Sequence, residues 1–255
     1  EVPVFPAALT PLSGTARGEA ARQLPQAWLH GGMDVIRWPS AVLRRISVGR
    51  MDNNVYLLTA RGSGEQLLID AAADPRAIAS LLAAAAADAP TPALRQVLTT
   101  HSHHDHVGAL AAVVAAHPGV TTLAGDADAD AITAATSVRI GGRLRHGDVV
   151  TLHDAELGDR ELAVIGLRGH TPGSVALALT PPDAPTQLFT GDSLFPGGVG
   201  NTSGDPERFA SLFEDVVHRI FDVFPDDTVV WPGHGLPTTV GAERPALEGW
   251  RARGW

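Results

Sequence analysis

Four histidines and an aspartate stand within six positions of the stretch "TTHSHHDHVGAL", residues 99–110: His101, His103, His104, Asp105 and His106. Imidazole nitrogens and carboxylate oxygens are the groups that divalent transition metals take as ligands. So dense a patch points to a bound cation, the alternative being a solvated polar loop without chemistry. Spacing sorts the five residues. His101 and His103 lie two apart at the end of an apolar run, so in an extended backbone they point the same way. His104 alternates away from them and is expected to be exposed or to support its neighbours. Asp105 and His106 fall where the chain turns into a helix, which lets them converge on the same pocket from its other side.

Three later motifs repeat this placement. "RGHTPGS" sets His170 in a turn after a strand, "LFTGDSLF" sets Asp192 after a strand, and "VVWPGHG" sets His234 after the last strand. Each lies beside Gly or Pro, which lets the backbone turn tightly. Functional groups on loops held by a rigid sheet are a common architecture of active sites. With these motifs in order downstream, the solvated-loop reading loses its ground. Five histidines and two carboxylates suffice for two divalent cations, each taking about four ligands. Asp192 is the natural bridge, because one carboxylate can serve two metals about 3.5–4 Å apart. Without metal, the same groups would form a costly polar cluster. Asp70, ending "QLLID", either orients a ligand histidine or begins a turn. Ser174 and Ser193 read as turn residues. His30, His117, His146, His153 and His218 lack partner motifs and read as surface or packing histidines.

The elements that position these residues follow from hydrophobic period and turn signals. "VLRRISVGR", "NVYLLTA" and "QLLIDA" read as strands, and "DPRAIASLLAAAAADA" as a helix with Asp74-Pro75 at its start. A strand "LRQVLTT" leads into the histidine patch, followed by a helix "HVGALAAVVAAH" stopped at Pro118-Gly119. After short strand–helix material, "ELAVIGLRG", "SVALALT" and "QLFTGD" read as strands. "PERFASLFEDVVHRIFDVF" is a helix with Phe209, Leu212, Phe213, Val216, Val217 and Ile220 on one face, and "TVVWPGHG" closes the pattern before a short Arg/Trp tail. Residues 1–41 are Ala-, Pro- and Gly-rich without sustained period and read as an extension, with a short helix near Gly18–Leu24. Residues 42–255 read as one α/β domain.

Composition bounds the function. With 255 residues, 44% hydrophobic and 18% charged, the chain can bury a full core. A net charge of −9 argues against a nucleic-acid binder, and every basic residue apart from histidine is arginine. There is no cysteine, so any metal is held by nitrogen and oxygen. No apolar run approaches a membrane span. Glu1 is not an initiator methionine, so the start reads as trimmed or processed; a cytoplasmic location is expected, with a removed signal peptide left open.

Thr100–His106 matches the T-H-x-H-x-D-H signature, and with the later ligands in order over about residues 42–245 the chain resembles the metallo-β-lactamase superfamily. The resemblance implies an α/β fold, a four-layer αββα sandwich with the metals at one edge of two sheets. It puts one metal on His101, His103 and His170, the other on Asp105, His106 and His234, and Asp192 between them. "TGDSLFPGGVGNT" and "PGHGLPTTVGAER" look most like single-domain relatives of glyoxalase II, the hydrolases of hydroxyacyl-glutathione thioesters. The full-length enzymes of that family carry a C-terminal helical domain that helps hold glutathione, whereas some twenty residues follow His234 here, so the thiol carrier stays open. True β-lactamases fit poorly, since their zinc sites typically use a cysteine or lack the bridging aspartate. The expectation is a hydrolase of a small thioester with two divalent ions, zinc first and iron or manganese next. Hydroxide held between the metals would attack the carbonyl carbon, and Asp105 would orient it as well as bind metal. The alternatives are a persulfide dioxygenase with one iron on a two-histidine, one-aspartate triad, or a lactone hydrolase.

Overall fold

The computed structural model describes residues 32–182 and 184–254. The helix expected near Gly18–Leu24, His30 and most of the extension lie outside the described residues.

Two sheets form the centre. The first contains β1 (Met33–Arg37), β2 (Ala41–Val48), β3 (Asn53–Ala60), β4 (Glu65–Ile69), β5 (Ala93–Thr99), β6 (Thr121–Gly125) and β7 (Gly142–Leu144), side by side in chain order. Pairing is antiparallel from β1 to β4 and parallel from β4 to β7. Next in the chain come β8 (Val149–Leu152), β9 (Arg160–Gly166), β10 (Val175–Leu179), β11 (Gln187–Gly191), a small hairpin of β12 (Leu194–Phe195) and β13 (Gly198–Val199), then β14 (Val229–Pro232) and β15 (Thr238–Thr239). Apart from the hairpin these form the second sheet, in the order β15-β14-β11-β10-β9-β8. Helices are α1 (Pro75–Ala84), α2 (His104–Val107), α3 (Leu110–Ala116), α4 (Ala129–Thr136), α5 (Pro206–Val216, continued by a π turn over Val217–Phe221), α6 (Val240–Glu243) and α7 (Leu247–Arg253).

The period of two along the strands sorts side chains into three apolar layers, which define the four-layer αββα sandwich. In β3, Val55 and Leu57 pack with Ile78 and Leu81 of α1 and Leu110 and Val113 of α3. The alternate residues Tyr56 and Leu58 face the second sheet, against Leu177, Phe189 and Trp231. On the second sheet's outer side, Ile165, Ala176, Leu188 and Val230 meet Phe209, Leu212, Phe213 and Val216 of α5. Strands buried on both faces explain why their sequences read as near-continuous apolar runs. No helix among the described residues is long and apolar enough to cross a membrane.

The structure departs from the sequence reading at three places. Met33–Arg37, inside the expected extension, pairs along its length with β2 as an edge strand. The helix expected after the histidine patch is broken at Gly108-Ala109, because the Ala109 amide donates to the Ala71 carbonyl instead of continuing the helical ladder. A Cβ at Gly108 would lie 2.7 Å from the Ala72 carbonyl oxygen, so only glycine lets the chain pass so close. The Arg/Trp tail is also more than a tail: α7 buries Trp250 to 1% exposure within the outer layer over the second sheet.

Candidate metal centre

The seven expected residues come together where the loops after β5, β9, β11 and β14 meet. His101, His103, His170 and Asp192 bring one potential ligand atom each to within 4.8 Å of one another, and Asp105, His106 and His234 do the same. Asp192 faces both groups. Its Oδ2 is 3.5 Å from His170 Nε2 and 3.3 Å from His234 Nε2, and its Oδ1 is 3.3 Å from His106 Nε2. His103, just before α2, has extended backbone (φ −66°, ψ 144°), which turns its ring toward His101. His104 opens α2 with its side chain 89% exposed, so it stays outside the cluster, because the helix begins there.

Hydrogen bonds at the far side of each ring decide which nitrogen points inward. His170 Nδ1 donates to the Asn201 carbonyl at 2.8 Å and His234 Nδ1 to the Met51 carbonyl at 2.7 Å, since a carbonyl only accepts. His106 Nδ1 lies 2.8 Å from Asp70 Oδ2. Thr100 Oγ1 donates to Asp70 Oδ2 at 2.8 Å and so accepts from His101 Nδ1 at 3.1 Å. These four histidines therefore aim the Nε2 lone pair at the centre. Inward nitrogens then face each other at 3.2 Å (His106–His234) and 3.3 Å (His101–His170), while His103 presents Nδ1 at 3.1 Å from His101 Nε2.

Lone pairs so close repel unless a cation or proton sits among them. Asp192 Oδ1, buried without a hydrogen-bond partner, adds an uncompensated acceptor. A side chain at Gly233 would collide with that oxygen and come to 2.8 Å from His106 Cε1. At Gly191, in the left-handed region at φ 50°, a side chain would come to 2.6 Å from Thr100 Oγ1. The donor set fits one or two divalent cations bound by nitrogen and oxygen.

Electrostatics divide the groups. Burial holds the His101 imidazole well below its ordinary range, with His106 adding to the effect, and burial also lowers His170. Burial would lower His106 too, but Asp70 and Asp192 outweigh it and raise His106 to about 10. For Asp192 burial acts upward, yet His106 and His234 hold its carboxyl well below the usual carboxylate range. Positive charge is thus favoured around Asp192 and His106, while His101 and His170 stay neutral, the form in which imidazole binds metal.

Supporting residues fix this geometry. Asp70, left open by the sequence, acts on the ligands as well as on the turn: besides His106 and the Thr100 hydroxyl it accepts the Thr100 amide at 2.7 Å. It sits at φ 60°, an uncommon conformation for a non-glycine residue. Ser174 serves its turn by accepting from the Thr171 amide. Two residues escaped the sequence reading. Asp128, 1% exposed, accepts from the Ser102 amide, the Thr171 hydroxyl and the Gly173 amide at 2.8, 2.6 and 2.8 Å, tying the His101–His103 loop to the His170 loop. Asn53 donates from Nδ2 to Asp105 Oδ2 at 2.9 Å. The first lay hidden among the alternating aspartates of "GDADAD" and the second in polar punctuation before a strand.

The profile of the metallo-beta-lactamase superfamily matches residues 48–240, which contain every residue of the cluster. The chain belongs to the metallo-beta-lactamase superfamily. A curated superfamily relative, the hydroxyacylglutathione hydrolase of Polaromonas sp. (strain JS666 / ATCC BAA-500), is 32% identical over 197 residues, covering 76% of this chain and 66% of the relative. The chain spans 60% to 66% of the length of three curated relatives of that description. Among solved structures, TTHA1623 in a di-iron-bound form is similar with a TM-score of 0.60 at 29% identity, covering 78% of this chain and 96% of that one. ETHE1 from Myxococcus xanthus, at 24% identity and a TM-score of 0.63 over 81% of this chain and 84% of that one, shares the fold.

Proposed function

We propose that this chain is a binuclear metal-dependent hydrolase of small 2-hydroxyacyl thioesters. The observation that carries the reading is the arrangement of Asp192 between two sets of inward ligand atoms, each set compact enough for one cation. The hydroxyacylglutathione hydrolase relative supports the thioester, and the di-iron form of TTHA1623 supports two metals. His101, His103 and His170 would hold one ion, Asp105, His106 and His234 the other, with Asp192 shared. Zinc, iron and manganese all suit such ligands. Divalent ions bound there would lower the pKa of water to about 7 and polarise the substrate carbonyl.

The chain's own residues would do the rest. Asp105 Oδ2, 3.3 Å from His234 Nε2, would orient the attacking water and take its hydrogen bond. Asp70 keeps the His106 ring fixed, so that the second set does not reorganise during the reaction. His103 and His104, both exposed, lie on the solvent side, from which substrate would enter.

The test is direct. Protein reconstituted with zinc or manganese should release free thiol from a 2-hydroxyacyl thioester without consuming oxygen. His106→Ala should abolish that release. Oxygen uptake with a persulfide substrate, persisting in His106→Ala, would replace this reading with an oxygenase.

A further inference from the structure

The second ligand set has a neighbour that the first lacks. Asn53, the first residue of β3, is 2% exposed, and its Nδ2 lies 2.9 Å from Asp105 Oδ2, 3.4 Å from His106 Nε2 and 3.5 Å from His234 Nε2. One amide nitrogen therefore faces all three inward atoms of that set. An amide nitrogen carries two N–H donors and no acceptor. One hydrogen serves Asp105, and the same nitrogen stands within 3.5 Å of both imidazole Nε2 atoms, the atoms that would bind a metal in their neutral form. The backbone leaves this amide little freedom: Asn53 pairs with His234 in an antiparallel bridge, and the Asn54 amide donates to the Gly233 carbonyl at 2.7 Å. Around His101, His103 and His170 no side-chain amide donates to an inward atom among the described residues.

We infer that Asn53 is a tuning residue for the second set, a neutral donor that stabilises Asp105, His106 and His234 without a cation and opposes a cation among them. The inference rests on the reading above, that both sets hold metal. Its physics is elementary. A hydrogen-bond donor satisfies acceptor atoms in the absence of metal, and its partial positive charge repels a cation drawn to the same atoms. Both effects favour the unloaded state of the second set relative to the loaded one. The position on Asp105, His106 and His234 is then the weaker and more exchangeable of the two, even though Asp105 gives it a carboxylate of its own.

The sign of this effect separates it from a merely structural role. Asn53→Asp keeps the shape, removes the donor and presents a carboxylate to the cation. Asn53→Ala removes the donor alone. We would titrate the metal-free protein and both variants with Zn²⁺ against a chromophoric chelator, and record melting curves with and without metal. The expected result is two bound Zn²⁺ in the parent, one tighter than the other. Asn53→Asp should tighten the weaker position roughly tenfold or more and leave the tighter one within about threefold, the scale on which residues next to metal ligands act. Asn53→Ala should lower the melting temperature of the metal-free protein by more than that of the loaded protein. Weakening of the second position in Asn53→Asp, equal shifts at both positions, or an equal loss of melting temperature in both states for Asn53→Ala would overturn the inference. A parent that binds fewer than two Zn²⁺ would overturn the underlying reading as well, whereas two Zn²⁺ with unresponsive variants would remove only the role of Asn53.

Discussion

The two halves of the centre use different supports for the same kind of ligand. His101, His103 and His170 are three imidazoles on two loops; the Thr100 hydroxyl and the Asn201 carbonyl hold the first and last rings, and Asp128 ties the loops together through backbone amides and one hydroxyl. Asp105, His106 and His234 combine a carboxylate with two imidazoles, and their supports act directly on side chains: Asp70 on His106, the Met51 carbonyl on His234, Asn53 on Asp105. Burial drives His101 and His170 toward the neutral imidazole, while carboxylates draw positive charge onto His106 and His234. Both halves hold their rings from behind, but the buried carboxylate of the first half joins its loops whereas that of the second bears on a ligand ring. Asp192 belongs to both.

The largest effects should come from removing the supports one at a time. Asp70→Ala deprives His106 Nδ1 of its acceptor and should weaken the second position by about 10–100-fold, and the first, which Asp70 reaches only through Thr100, by less. Asp128→Ala should act on the first position instead, by loosening the loops that carry His101, His103 and His170. Chelator competition on both variants measures the difference, and equal losses at both positions in both variants would erase the distinction between the halves.

A smaller effect concerns the whole fold. The ligands come from loops of both sheets, so metal should bind folded chain in preference to unfolded. At metal concentrations 100 times Kd, each site adds about 2.7 kcal/mol. For a domain of this size that is roughly 5–11 °C in Tm per site. Chelation followed by calorimetry reads it; an unchanged Tm after complete metal removal would contradict a centre shared between the sheets.

Acid provides a control away from the centre. Asp88 is buried and holds the Arg44 guanidinium through both oxygens at 2.6 and 2.8 Å, with Arg37 beside it. Burial would raise this carboxyl, but the two guanidiniums outweigh it and lower its pKa. A depressed folded pKa means stability that is present above the unfolded value of about 3.9 and lost as pH falls through the folded value below it. In metal-free protein, the advantage of the parent over Asp88→Asn should hold at pH 5–7 and vanish in stronger acid. Persistence of the gap in strong acid would show that the ion pair is not its source.

The smallest effect is at His104. Its exposed position predicts metal content and turnover within a few-fold of the parent in His104→Ala. A loss comparable to that of His103→Ala would mean that the ligand assignment around α2 is wrong.

What could be read from the sequence, and what could not, follows the range of the interactions. His101, His103, Asp105 and His106 are close in sequence, and each later candidate ligand follows an apolar strand beside Gly or Pro, so local pattern brings them to notice. The α/β class was similarly accessible from the strand and helix runs, whereas the four-layer sandwich followed from the family resemblance; strands such as β3, apolar on both faces, are indeed covered on both. Asp128 was not. In "GDADAD" it is one of three alternating aspartates, yet its carboxylate reaches residues 26, 43 and 45 positions away. Asn53 meets Asp105 and His234 across 52 and 181 positions, and its neighbours in sequence say nothing of either. The break between α2 and α3 depends on the carbonyl of Ala71, which no helical period can signal.

The central claim, two metal positions sharing Asp192, is tested most directly by counting metal per chain in the parent, His170→Ala, His234→Ala and Asp192→Ala after reconstitution and removal of free ion. The account predicts about two in the parent, about one in each histidine variant, and well below one in Asp192→Ala. One metal in the parent, unaffected by His234→Ala, would contradict it.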